Sequence, residues 1–307
     1  MNFKNICYFL LGIALFVAAC KKEENPVASA DLGIPQLFAP AADADPKVKT
    51  LYTDYGVWVR MDFKDWKEVT NAILGNDVNN RYGATKIDDA QRQNAITYAE
   101  SLLSNVSKQY SKSFFPLELF FVKTYNGSWW AADLQVIGRS RLVFCWPNQM
   151  INAQPVTDPA NHYYRDSVLT RAVWSNIGGM ITARMTKPVE GFELAGRAYD
   201  NGQAVDKILE DYYNDYDLEK RDAALDELAR TGGFITGHGS RSFDSDFPQW
   251  LNLIVTESYE NIRKQYLDNN ERRTNKYNIL IKFFNSYGWD IQAAGNRYRQ
   301  KLDEFNK

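Results

Sequence analysis

Two histidines, one cysteine beyond residue 20 and a scatter of acidic side chains are the groups in this 307-residue chain that could bind a metal or attack a bond. A catalytic zinc site commonly takes three protein ligands, usually histidine plus carboxylate. Its helical form places two histidines one turn apart with a glutamate between them as general base. No such pair is present: His162 stands in Asn161-His162-Tyr163-Tyr164, and His238 lies between Gly237 and Gly239. Ser240 follows His238 closely, but catalytic pairs are made in space, and adjacency in sequence says little. There is no G-x-S-x-G elbow, no P-loop and no G-x-G-x-x-G after a strand. These residues call for no catalytic group, no metal and no cofactor. The bland reading of His238 is a loop residue bonded to backbone.

Other groups suggest surfaces rather than reactions. Asp244, Ser245 and Asp246 read as an acidic helix start, with Asp246 as N-cap and Pro248 in the first turn. Trp129 and Trp130 follow the turn Asn126-Gly127. Tyr212, Tyr213 and Tyr216 interleave with Asp211, Asp215 and Asp217. Together with His238, Trp129, Trp130, Tyr212 and Tyr213 form a candidate glycan- or peptide-binding surface, provided that the rings are exposed, because such rings present a flat apolar body. Buried, they are core. The formal net charge of -2 gives no electrostatic reason to expect a nucleic-acid partner.

The elements that must position these groups begin after an export signal. Lys4 and the apolar run Ile6–Ala19 read as a signal peptide over residues 1–19, too short to be a spanning helix. Phe16-Val17-Ala18-Ala19-Cys20 resembles a bacterial lipobox, which implies lipidation of Cys20. Lys21-Lys22-Glu23-Glu24 resembles the surface-export signal of Bacteroidota lipoproteins. Residues 20–48 then read as a lipid-anchored tether, and 49–307 as one domain. Cys145, alone inside LVFCW, reads as a small hydrophobe.

Alternation and apolar runs predict strands near 57–63, 117–124, 134–137 and 141–146, with a helix over 89–112. Helices follow over Tyr164–Met185, Leu218–Ala229 with a stop at Gly232-Gly233, Phe247–Leu267, Lys276–Tyr287 and Asp290–Phe305. The fold class is α+β: a small mixed sheet with helices in front, helices behind. Within the Tyr164–Met185 helix, Gly178-Gly179 is anomalous, because each glycine weakens a helix by about 1 kcal/mol relative to alanine.

The segments also follow a familiar order. A strand opens after Tyr55-Gly56, and a long helix follows. Phe114-Phe115-Pro116-Leu117 enters a strand, and a helix ends at Thr186-Lys187-Pro188. Gly233-Phe234-Ile235-Thr236 comes next, then Ser245-Asp246-Phe247-Pro248-Gln249, then terminal helices from Lys276. This order resembles the zinc-binding metallopeptidases of Bacteroidota, lipoproteins found with TonB-dependent importers and their SusD-type partners. The resemblance implies a zincin-like fold and places the H-E-x-x-H positions at Ile177, Gly178 and Ile181. The acidic third-ligand position falls at Ser245 or Asp246. Histidine ligands and base are therefore missing. The expectation is a pseudo-metallopeptidase, anchored to the outer membrane by its N-terminal lipid and exposed on the cell surface. It would act as a non-catalytic binding or scaffolding subunit beside a TonB-dependent transporter and a SusD-type lipoprotein. The alternatives are an active peptidase or glycan hydrolase built on His238, Asp244 and Asp246, or a glycan- or peptide-binding lipoprotein.

Overall fold

In β3 (Glu118–Asn126) and β5 (Arg141–Cys145) the apolar residues run almost without interruption, as strands buried on both faces require. A computed structural model, which describes residues 39–70, 83–126, 134–146, 158–213, 218–237 and 242–307, pairs these two strands in parallel at the centre of a mixed sheet. β1 (Trp58–Arg60) lies parallel to the start of β3, and β2 (Gly83–Lys86) lies antiparallel to its end, so both share one side of that strand. β4 (Leu134–Ile137) pairs antiparallel with β5 on the other side. The sheet order is β1–β3–β5–β4, with β2 off this path and paired to the far end of β3.

Alternation divides the sheet's side chains between two cores. Leu119, Phe121, Leu142, Phe144 and Trp146 join the main core beneath α2 (Asp89–Leu103). Phe120, Val122, Val143 and Cys145 face a smaller one, closed by Phe63 and Val69. Cys145 is therefore buried core, as its apolar neighbours implied.

The predicted helix over 89–112 is two helices. α2 ends at Leu103, and α3 (Lys108–Phe114) restarts behind Ser107, whose hydroxyl accepts the Tyr110 N–H at 3.1 Å. The helix predicted over 164–185 is likewise two: α4 (Pro159–Arg165) and α5 (Ser167–Arg184). At the joint, Asp166 leaves the helical region, with φ -91° and ψ 79°, and its carboxylate caps the Leu169 N–H at 2.9 Å. In both places the core-facing period runs on through a side-chain cap, so the period alone does not show the break.

Residues Pro40–Lys307 form one compact unit. α1 (Pro46–Tyr55) starts inside the segment read as tether. The helical half comprises α6 (Gln203–Asp211), α7 (Leu218–Gly232), α8 (Phe243–Thr256), α9 (Tyr259–Ile262), a π-helical turn (Arg263–Leu267), α10 (Glu271–Ser286) and α11 (Ile291–Phe305). The helix predicted over Phe247–Leu267 is corrected at both ends. It stops at Thr256, where Glu257 is extended, and it starts four residues early. Its N-cap is Ser242, in a capping box with Ser245, not Asp246.

Candidate functional site

The helix with the anomalous glycines, α5, packs along α8. Ile177 and Ile181 are fully buried there. An ideal Cβ placed on Gly178 would lie 2.8 Å from both Cα and Cβ of Pro248 and 3.4 Å from Leu251. Real Cβ atoms do not approach backbone so closely, so only glycine fits while α8 stays where it is. Gly179 differs: a Cβ there meets nothing within 4 Å. Pro248 lies inside α8, where it removes the hydrogen bond to the Asp244 carbonyl and turns its ring surface to the glycine notch. The question posed by Gly178-Gly179 thus has a physical answer: the first is a contact point between two helix backbones.

One of the two positions that the sequence resemblance assigns to an acidic ligand, Asp246, is a carboxylate with partners of its own. Asp246, in the first turn of α8, is fully buried. Its Oδ2 accepts from Lys276 Nζ at 2.5 Å and from the Tyr199 hydroxyl at 2.8 Å. Asp246 Oδ1 and Trp250 Nε1 each lack a hydrogen bond of ordinary geometry, although the indole still helps to hold the carboxylate charged. Burial pushes Asp246 up and Lys276 down from their usual values, and the attraction between the two opposes both shifts. Burial and the neighbouring Asp246 charge keep the Tyr199 hydroxyl protonated.

Ser245, the alternative register, serves the helix: the Ser242 N–H donates to its hydroxyl at 3.1 Å. Asp244 is exposed and lines a cleft of about 380 Å³ at the C-terminal end of α5, together with Thr182, Lys187, Glu193, Tyr199 and Ser242. Asp244 and Asp246, two positions apart, point to different sides of the helix. The structure therefore does not bring them together as an acid–base pair. Among the described residues, no three His, Cys, Asp or Glu side chains gather as a metal would require. The residues at the implied zinc positions do not fit the ion. Ile177 and Ile181 offer no ligand, Gly178 has no room for a side chain, and Asp246 already holds an ammonium.

His162 is a packed residue. Its ring lies against Tyr98 at 5.8 Å and Trp146 at 5.4 Å, with Nε2 3.8 Å from Asp166 Oδ2. Burial lowers its pKa, and the charges of Asp166 and Asp158 oppose the shift. Of the candidate binding surface, Tyr213 is 78% exposed and Tyr212 half-buried. Trp129, Trp130 and His238, like Cys20, lie outside the described residues.

Sequence reasoning passed over Lys276 and Tyr199. The signal for Lys276 was present: it shares a stripe with Leu280 and Phe284 on α10, and all three are buried. A lysine at a core position of a helical period calls for a buried partner.

No family model matches the chain, and no curated protein matches it. A solved structure described as a "putative zinc-binding metallo-peptidase" from Bacteroides caccae ATCC 43185 is similar at 12% identity and a TM-score of 0.48. The match covers 86% of this chain and 96% of that one.

Proposed function

We propose that this protein is a non-catalytic lipoprotein with a zincin-like body. It is anchored to the outer membrane through Cys20, faces the cell exterior, and acts as a binding or scaffolding subunit of an importer complex with a TonB-dependent transporter and a SusD-type lipoprotein. The order of its sequence segments supports the family reading, and the lipobox supports the anchor. One observation carries the non-catalytic reading: the Asp246 carboxylate is neutralised by Lys276, beside a helix contact with no space for a side chain at Gly178. Zinc analysis of the purified protein tests it. The expected result is no stoichiometric zinc and no peptide cleavage. One tightly held zinc per chain, with hydrolase activity lost on chelation, overturns it. The anchor is tested separately: a clickable fatty acid should label the wild type and not Cys20→Ser, and equal labelling removes the lipid from the proposal.

A second reading, a glycan- or peptide-binding lipoprotein, is favoured by the exposed ring of Tyr213. If Tyr213→Ala weakens retention on a glycan or peptide array that holds the wild type, this reading gains over scaffolding.

A further inference from the structure

Lys276 is fully buried, and the site around its ammonium is built in detail. Nζ lies 2.5 Å from Asp246 Oδ2. The rings of Phe234, Phe192 and Tyr199 stand 4.4, 4.9 and 5.8 Å from it. Aromatic faces within about 6 Å attract a cation through the ring quadrupole, most strongly where water is excluded. Gly196 closes the site: a Cβ there would lie 2.5 Å from Cε and 2.7 Å from Nζ. The walls come from separate stretches of chain: α8, the segment 192–199 and Phe234 just after α7. None is adjacent in sequence to Lys276 on α10, so the box is a product of the tertiary fold.

We propose that Asp246, Phe192, Tyr199 and Phe234 form a receptor for a primary alkylammonium group, which Lys276 fills from within as the protein's own ligand. The chemistry selects this class. One carboxylate and a hydroxyl at one end, with aromatic walls elsewhere, match a monovalent charge on an apolar stem. A divalent metal needs a shell of several nitrogen, oxygen or sulfur ligands, and the rings stand where those would have to be. Tyr199 also lines the cleft at the end of α5, together with Glu193, whose charge favours the ammonium. The box thus borders a route from solvent. None of these contacts depends on the chain being a lipoprotein or a metallopeptidase relative.

Chemical complementation tests the receptor. In the full mature chain, Lys276→Ala removes three methylenes and the ammonium, the equivalent of n-propylammonium. The variant should unfold roughly 10 °C lower than wild type, as expected for an unpaired buried charge in a chain of this size. Propylammonium chloride should raise its midpoint saturably and leave the wild type unmoved. Propan-1-ol and zinc chloride should not raise it. An equal rise in the wild type, an equal rise with propanol, or a larger one with zinc overturns the proposal. If Lys276→Ala yields no folded protein, Lys276→Met keeps the stem without the charge. Adding Asp246→Asn to Lys276→Met should then raise the midpoint by removing the unpaired carboxylate. A double variant no more stable than Lys276→Met overturns the proposal equally.

Discussion

The end of the sheet and the helical half each bury an ion pair, and the two are satisfied differently. Arg141, 1% exposed, is held through all three of its guanidinium nitrogens. Nε and Nη2 reach Glu118 Oε2 at 2.6 and 2.5 Å, and Nη1 donates to the Glu68 and Val69 carbonyls. Glu118 Oε1 in turn accepts from Arg60 at 2.9 Å. Each charge has several directional partners, which pin the 66–69 segment to the starts of β3 and β5. The Asp246–Lys276 pair has one direct hydrogen bond, one helper in Tyr199 and an Oδ1 left over; ring faces do the rest. A guanidinium's fixed fork imposes geometry. An ammonium among rings asks mainly for charge and volume. The first arrangement is a clamp, and the second is a filled socket.

Breaking the clamp should have the largest effect. Arg141→Met is expected to cost about 3–5 kcal/mol in urea unfolding, because it leaves the buried Glu118 with Arg60 as its one remaining ionic partner and orphans the Glu68 and Val69 carbonyls. Adding Glu118→Gln should restore little, since the Glu68 and Val69 carbonyls stay orphaned. If the double variant recovers most of the loss, the sheet pair is a socket too and the contrast fails.

A smaller effect separates the neighbouring glycines beside the socket. Gly178→Ala should cost about 1–3 kcal/mol by driving α5 and α8 apart. Gly179→Ala, which meets open space, should stabilise by about 0.5–1 kcal/mol through helix propensity. Matching signs in thermal unfolding would show that α8 yields to the added methyl and that the helix contact is soft.

The smallest effect belongs to His162, which packs against Trp146 just past the end of β5. Its folded pKa is depressed by burial, so its contribution to stability is full above about pH 6.5 and is lost as pH falls through the folded value. Between pH 7 and 5, wild type should therefore lose more stability than His162→Gln. Equal pH slopes would mean that His162 takes up its proton without disturbing the sheet.

The sheet could be read from sequence because LFFV in β3 and LVFCW in β5 have few alternatives to doubly buried strands. α1 could not: PKVKTLYTDY buries only Val48 and Leu51, too few to show a period. The joints at Ser107 and Asp166 were hidden because a capped break keeps the apolar face in phase. At the site, the departure from a zinc motif was legible as missing side chains. What replaced it was not, because the answer lies in tertiary neighbours. Gly178 needs Pro248, 70 positions on, to explain it, and Lys276 needs Asp246 and three rings from other stretches of the chain.

The Gly178–Pro248 contact also sets a condition on how this chain could acquire the glutamate of a helical two-histidine motif. A glutamate at 178 cannot enter while Pro248 lies against the glycine, and histidines at 177 and 181 would each displace a fully buried isoleucine. The glutamate's entry therefore requires a prior change in α8, where moving Pro248 breaks packing and gains no ligand. Each of these steps first costs the fold packing. A designer would release α8 before placing any side chain at 178.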